Sequence, residues 1–248
     1  IVITYFIFFS PIGWVINMSA QTNCICNEIN QQQLDQFIDE DDSITIFQMV
    51  NQLKKSDPTC AIRAYDLEID YFHNHKKLSE MLASIQAQEK QIKKVNCQVK
   101  YTFNVNLNYS KYYRIKEDYE KMSSFVFKAL ADAELQKDKK NELKAIFLIV
   151  HLFTRQDQHE KNWAYIKRAE NIILNSEQDY TTATNYNWLA FEFETTFTND
   201  STRFKILDSV LQYASIAKSM AVRYKNYEQI TKSFRAFEAV SCHKGNLN

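Results

Sequence analysis

The sequence has very few of the residues that end regular structure. Only two glycines and two prolines occur among 248 residues, where average usage would give about 17 and about 12. Glycine supplies the positive φ angles of tight hairpins and of many turns between strands and helices. A chain almost without glycine and proline is therefore expected to be all-α, built from helices joined by short connections.

The sequence also lacks an excess of charge of either sign. Thirty basic residues balance thirty acidic ones, and both signs are mixed along most segments, as is typical of solvated helix faces. A neutral chain has no strong field that would attract nucleic acid or an anionic membrane surface. We therefore expect this region to contact no nucleic acid.

Motifs of catalysis and of metal or cofactor binding are missing as well. With so few glycines, no loop could cradle nucleotide phosphates, and neither G-x-S-x-G nor HExxH is present. His73 and His75 are two residues apart, which places them on different faces of a helix. The carboxylates of Glu192 and Glu194 have the same spacing. The sequence predicts no catalytic residue, no metal ligand and no cofactor; an enzyme with a site assembled across distant segments is the alternative.

The chain contains five cysteines, and their spacing is irregular. Cys24 and Cys26 are separated by one residue, which fits neither a zinc knuckle nor a C-x-x-C redox pair. We expect most of the cysteines to be buried or unreactive thiols. Oxidation of some pair is the alternative for an exported chain, and the sequence does not specify which pair.

Residues 1–20 have the pattern of a secretory signal. Ile1–Phe9 is an uncharged apolar run, Ser19-Ala20 supplies small residues for cleavage, and polar residues follow from Gln21. The initiating methionine and a basic segment before the apolar run are missing. We therefore interpret residues 1–20 as a clipped signal peptide cleaved after Ala20. The alternative is an N-terminal membrane anchor, which the short apolar run does not favour.

The rest of the chain predicts a polar leader over residues 21–57, with short helices at 27–42 and 44–53, and then a helical domain over residues 58–248. Asp57-Pro58 indicates a helix start, because proline is tolerated in the first turn. From there apolar residues recur three and four positions apart, as on one face of a helix. The stripes comprise Ile62, Tyr65, Ile69 and Phe72; Leu78, Leu82, Ile85 and Ile92; Tyr119, Met122, Val126 and Ala129; Leu143, Ile146, Val150 and Phe153; Tyr186, Leu189, Phe193 and Phe197; and Ile230, Phe234, Phe237 and Val240.

One segment departs from this spacing. Between Gln98 and Ser110 apolar and polar residues alternate, which by periodicity alone is typical of a β-strand. A single strand among helices would leave its backbone groups without partners. We therefore predict a helix that runs to about Ile115, with a strand as the alternative.

Degenerate repeats appear in the second half of the chain. The segment YEKMSSFVFKAL combines aromatic and apolar residues with a final alanine at helical spacing. The intervals between corresponding alanines are 40 residues, from Ala129 to Ala169, and 45 residues, from Ala169 to Ala214. The repeated segments are Tyr119–Leu130, His159–Ala169 and Phe204–Ala214. This pattern resembles the second helix of tetratricopeptide (TPR) repeats, whose period is ~34 residues.

The TPR resemblance implies antiparallel helix pairs stacked as a right-handed α-solenoid over residues 58–248, truncated in mid-repeat at the last residue. Together with the predicted signal peptide, it is similar to the exported N-terminal sensor region of Bacteroidetes-type histidine kinases or helix-turn-helix regulators. That resemblance implies a non-enzymatic module that binds a protein or peptide in signal transduction. It also implies a periplasmic location, free or membrane-anchored through a downstream segment absent here. A cytosolic TPR-type adaptor or peptide receptor is the alternative.

In such solenoids the first helix of each repeat lines the concave surface. Polar residues on the non-core faces of those helices are the candidates for contact with an acidic or C-terminal segment of a partner. These candidate binding residues are Lys144, His151, Asn187, Lys232 and Arg235. We expect the aromatic residues Trp188, Phe191 and Phe193 to form core between repeats, with a peptide-gripping aromatic groove as the alternative.

Overall fold

The structure is a computed structural model that describes Cys26, residues 43–199 and residues 205–245. Within these ranges the chain forms ten α-helices and no strand, which confirms the all-α class. The predicted signal peptide and the helix predicted at 27–42 lie outside the described residues. The helices are α1 (Ser43–Lys54), α2 (Pro58–Asn74), α3 (Leu78–Ile92), α4 (Gln98–Ile115), α5 (Tyr119–Leu135), α6 (Lys139–Arg155), α7 (His159–Leu174), α8 (Thr182–Asn199), α9 (Lys205–Arg223) and α10 (Tyr227–Gly245).

Local sequence explains where several helices begin. Pro58 opens α2, and the carboxylate of Asp57 accepts hydrogen bonds from the backbone N–H groups of Thr59 and Cys60 at 2.7 and 3.2 Å. An acceptor at this position satisfies donors that have no partner inside the helix. The predicted start is therefore confirmed. The helix predicted from Gln98 to about Ile115 is also confirmed, and the strand alternative is wrong.

The turns between helices place residues other than glycine in the left-handed region. The backbone φ angle is between 52° and 56° at five such positions. In each turn the residue after it donates its N–H to a carbonyl five residues back; in the second of them, Asp118 donates to Tyr113 at 3.1 Å. This is the hydrogen-bond pattern of the Schellman motif. The five positions are Lys76, Glu117, Lys137, Asp157 and Lys225. Short connections are thus made without glycine.

Helix packing follows the order of the chain. Each helix packs against the next, and contacts also join alternate helices: α2 with α4, α4 with α6, and α8 with α10. A single large apolar cluster extends from Phe103 in α4 to Val240 in α10. Helices α1–α4 instead contain three smaller clusters, one of which packs α1 on α2.

The predicted apolar stripes match the buried faces unevenly. The stripe of α6, from Leu143 to Phe153, is buried at all four of its positions. The stripe of α10 is wrong at Phe234, which is 52% exposed, while Gln229 and Ser233 are buried on that helix. The helix continues through Gly245.

The cysteines are mostly oxidised, so the expectation of unreactive thiols was wrong for three of them. Cys26 forms a disulfide with Cys60, which is buried in the cluster between α1 and α2. Cys97 is also disulfide-bonded, and Cys242 is free and exposed. A cross-link between residues 34 positions apart stabilises the fold mainly by restricting the unfolded chain.

None of the described helices combines the length and the apolar character that crossing a bilayer requires.

Candidate functional site

A cleft of about 730 Å³ runs along the even-numbered helices. No described residue of an odd-numbered helix lines it. Helix α2 contributes Arg63, Asp70, His73 and Asn74; α4 contributes Lys111; α6 contributes Lys140, Leu143, Lys144 and Phe147; the start of α8 contributes Tyr180, Thr181, Thr184 and Asn185; and the start of α10 contributes Asn226, Glu228, Gln229 and Lys232. The five even-numbered helices therefore share one surface.

The lining of the cleft is cationic although the chain as a whole is neutral. Five lysine and arginine side chains line it, against two carboxylates. Some of these cations have partners: Lys111 Nζ lies 2.5 Å from Asp70, and Lys232 Nζ lies 2.5 Å from Glu228. Lys140 also pairs with Asp179 at 2.6 Å, and Arg63 lies 3.6 Å from Asp66, although neither carboxylate is among the lining residues. Once these pairs are counted, the excess of positive charge comes from Lys144.

Lys144 differs from the other cations of the cleft in its lack of a paired carboxylate among the described residues. Its side chain is exposed, and among the described residues no carboxylate lies within 4.0 Å of its Nζ. Burial lowers the pKa of Lys144, and the charges of Arg63 and Lys111 lower it further. The ammonium group is accessible to water, but it stands in a concave cleft whose walls displace much of the bulk solvent. This loss of solvent is what lowers its pKa. An anion entering the cleft would relieve this repulsion.

A second cationic group lies beside the cleft, where α2, α4 and α6 meet. Arg114 Nη2 donates a hydrogen bond to His73 Nε2 at 2.7 Å. Burial lowers the pKa of His73 to about 4, and the charges of Arg114 and Lys111 act in the same direction. Burial, followed by Arg114 and Arg155, lowers the pKa of His151 to about 4 as well. Both imidazoles are therefore neutral at pH 7, and the bond from Arg114 requires this of His73, whose Nε2 accepts it.

A smaller groove of about 530 Å³ lies between α8 and α10. Its lining is mostly apolar and includes Trp188 and Phe191. Phe191 is 61% exposed, so the expectation that it belongs to the core was wrong, whereas Phe193 is buried as expected. Trp188 stacks on Phe147 with 4.1 Å between ring centroids. The groove adjoins the cleft, because Thr184, Gln229 and Lys232 line both.

The predicted binding residues are distributed over both cavities. Lys144 and Lys232 line the cleft, and Asn187, Lys232 and Arg235 line the groove. His151 lines neither of these two cavities. It is half-buried on α6, the same helix as Lys144.

Asn187 has a structural task that the sequence did not indicate. Its amide nitrogen donates to the backbone carbonyl and to the side chain of Gln229 at 2.8 and 3.0 Å. Its amide oxygen accepts from Ser233 at 2.9 Å. All three side chains are buried, so this amide joins α8 to α10 and its hydrogen-bonding groups already have partners within the protein.

The sequence did not single out Lys111 and Arg114, and it did not relate Arg114 to His73. His73 and Arg114 are 41 residues apart, and so are Asp70 and Lys111. That interval is close to the 40 and 45 residues between repeated alanines. Polar and charged residues one repeat apart could therefore have been paired from the sequence. Such a pairing requires the position at which the first repeat begins, and the sequence does not show it.

The arrangement supports non-covalent recognition of an anionic group. Among the described residues, no group of three or more histidine, cysteine, aspartate or glutamate side chains is placed to hold a metal ion. Lysine and arginine side chains bind carboxylate, phosphate and sulfate groups through charge-assisted hydrogen bonds.

Comparison with known proteins adds no family assignment. No protein-family model matches the chain, and no curated protein matches it. The molecule is thus defined by its own features, as an all-helical protein with a cationic cleft along alternate helices.

Proposed function

We propose that the chain is a non-enzymatic, protein- or peptide-binding module whose helices stack as a TPR-like right-handed α-solenoid. Hydrogen bonds between alternate helices support this stacking, because they recur at one repeat interval. Asp66 accepts from Asn108, and Asn187 donates to Gln229, each across 42 residues. Side-chain bonds that join each unit only to its neighbours are expected of a repeat array.

The observation that carries the proposal is the single cleft lined by all five even-numbered helices. Its volume lies within the range of ligand-binding cavities. A surface shared by the first helices of successive repeats is the one that solenoids use for extended partners. The excess of lysine and arginine favours an acidic segment, or a C-terminal carboxylate, of the partner protein.

We further propose that this module is exported and serves as the extracytoplasmic sensor part of a bacterial signal-transduction protein. The disulfide between Cys26 and Cys60 supports export, because disulfides persist in oxidising compartments and are rare in the cytosol. The same observation disfavours the cytosolic adaptor. N-terminal sequencing of the protein from its native host tests this point, and a mature start at Gln21 is the expected result.

Selection from a library of randomised peptides tests the binding function. Acidic peptides should be enriched, and the double charge reversal Lys232→Glu/Arg235→Glu should weaken their binding by at least about tenfold, as expected for lost charge-assisted bonds. The matched control is Lys90→Glu/Lys94→Glu, which changes the net charge equally at exposed positions outside both cavities. Equal binding by both double variants would contradict the proposal.

A further inference from the structure

The guanidinium group of Arg114 is half-buried and pairs with a neutral group. Its hydrogen-bond partner is the neutral imidazole of His73, and no carboxylate lies within 4.0 Å among the described residues. Arg168 shows the ordinary arrangement in this protein, since it binds Glu142 at 2.7 Å and Glu134 at 2.5 Å. A partly buried cation without a counter-charge is costly. A bound anion would remove that cost.

A second cation, Lys144, also lacks a carboxylate within 4.0 Å among the described residues, and it lines the cleft, which Arg114 does not. Lys111 acts on both groups: its charge lowers the pKa of Lys144 and that of His73, which accepts the hydrogen bond from Arg114. The carboxylate of Asp70 is close by, but Lys111 already pairs with it at 2.5 Å. Arg63 and Asp66 form a further pair nearby, 3.6 Å apart. The charges of Asp66 and Asp70 act on Lys144 in the opposite direction to those of Arg63 and Lys111, so they offset its positive charge only in part.

We propose that this end of the cleft is an oxyanion-binding site, in which Lys111 and Lys144 contact the anion and Arg114 supplies positive charge behind His73. The ligand group is a carboxylate, phosphate or sulfate, all of which present oxygen atoms to ammonium and guanidinium donors. The site gives the partner segment of the proposed function its anionic anchor, and in that respect it rests on that function. Binding of the free anion does not depend on it.

The two histidines report on occupancy. The groups that act on His73 are Asp70 and Asn74 on its own helix and Lys111 and Arg114 on α4. A bound anion would favour the protonated imidazole and raise the pKa of His73. The free protein keeps this residue neutral down to a pH of about 4. Binding should therefore be accompanied by proton uptake at His73 at pH values above 4, and affinity for an anion whose own charge is constant, such as sulfate, should rise as the pH falls towards 4.

His151 gives a second signal from the neighbouring helix. The charges that act on it are Arg114 on α4 and Arg155 on its own helix. Because it lines neither cavity, its response to an anion should be smaller than that of His73. A larger change at His73 than at His151 would thus place the anion in the cleft.

The experiment uses the disulfide-bonded chain, with inorganic phosphate, sulfate and acetate added separately at constant ionic strength. Calorimetry should show saturable binding, and NMR of the histidine rings should show His73 shifting more than His151. The variant Lys144→Gln should weaken binding by about tenfold, the size expected for one charge-assisted contact. Lys90→Gln, at an exposed position outside the cleft, is the matched control.

The three anions distinguish the sources of the ligand group. Phosphate or sulfate binding well above acetate indicates a phosphorylated or sulfated ligand, while comparable acetate binding indicates a carboxylate. Arg114→Gln extends the test, and circular dichroism establishes that this half-buried variant is folded. The inference is overturned if the anions act no differently from chloride, or if Lys144→Gln and Lys90→Gln bind them equally.

The outcome is separable from that of the peptide selection. Phosphate binding without any selected peptide would retain the oxyanion site and reject the peptide-binding function. Selected peptides that bind Lys144→Gln normally, with no free anion bound, would do the reverse.

Discussion

Helices α2–α4 and helices α8–α10 each bury one acidic side chain, but in different surroundings. In the first region the carboxylate of Asp66 accepts hydrogen bonds from the amides of Gln88 and Asn104, both at 2.6 Å, and from that of Asn108 at 2.9 Å. In the second region Glu192 is 8% exposed. Its carboxylate has no hydrogen-bond partner among the described residues, and burial raises its pKa to about 7. A buried carboxylate thus accepts hydrogen bonds in the first region, whereas in the second region a buried carboxyl group has a raised pKa.

The apolar cores of the two regions differ as well. On α2, Asp66 lies between Ile62 and Ile69, which belong to separate small clusters. Gln88 lies in the same way between Ile85 and Ile92 on α3. A polar layer therefore divides the apolar core of the first region. In the second region most of the buried apolar residues belong to one large cluster, and a smaller cluster contains Ala183, Met220 and Ala221. The first region should therefore depend more on buried polar bonds and on disulfides, and the second more on buried apolar area.

The largest expected effect comes from removing the centre of the polar layer. Asp66→Leu should lower the free energy of unfolding of the first region by about 3–5 kcal/mol, because three amides lose their acceptor in a buried site. Chemical denaturation measures the loss, and hydrogen exchange should locate it in α2–α4. Replacing the layer's buried members together, in Asp66→Leu/Gln88→Leu/Asn108→Leu, should recover most of the stability, since the one amide that then lacks its acceptor, that of Asn104, is only partly buried. A triple variant less stable than the single one would refute this account of the layer.

The sequence predicted the helices well but not this layer. Apolar residues at spacings of three and four suffice to predict helices and the buried stripe of α6, from Leu143 to Phe153. Asp66, Gln88 and Asn108 are buried among such stripes, yet polar residues by themselves indicate a solvated face. Their partners lie 20, 22 and 42 residues away, so the register between helices decides their burial.

The candidate site was predictable in part for the same reason. Lys144 and Lys232 could be placed on the shared surface by assuming that alternate helices line it. The pairing of His73 with Arg114 depends on the register of the first two repeats, which no local pattern specifies. Asn187 looked accessible because the sequence does not show that Gln229 approaches it across one repeat.

The disulfide between Cys26 and Cys60 gives a second test of what stabilises the first region. Cys26→Ser should cost about 3–4 kcal/mol, the loss expected for a closed loop of this length in the chain-entropy account. Cys242→Ser, at the free and exposed cysteine of the second region, should leave the midpoint of denaturation unchanged. Denaturation of both variants without reductant makes the measurement. Equal midpoints for the two variants would show that the cross-link contributes little to the first region.

Glu192 provides the corresponding test in the second region. Below pH 4.5, the usual pKa of glutamate, both the folded and the unfolded states are protonated at this residue. As the pH rises towards 7 the unfolded state loses the proton and the folded state retains it, so stability decreases. Glu192→Gln should therefore be more stable than the parent by about 2–3 kcal/mol at pH 8 and equal to it near pH 4.

The control for this prediction is Glu238→Gln, an exposed glutamate on the next helix but one. It should follow the parent at every pH. Denaturation midpoints between pH 4 and pH 8 make the comparison, and a constant difference between Glu192→Gln and the parent would mean that burial does not hold the proton on Glu192.

The smallest effect should be common to both regions, because the turns are built alike. Lys76 follows α2 and Lys225 follows α9, and both have a φ angle near 55°. A side chain strains the left-handed conformation, and glycine does not. Lys76→Gly and Lys225→Gly should each stabilise the protein by about 1 kcal/mol. Lys116→Gly, at a right-handed helical position one residue before such a turn, should instead destabilise it by about 0.5–1 kcal/mol. Thermal denaturation of the three variants decides whether the regions differ only in their cores: unequal gains at Lys76 and Lys225 would place part of the difference in the turns.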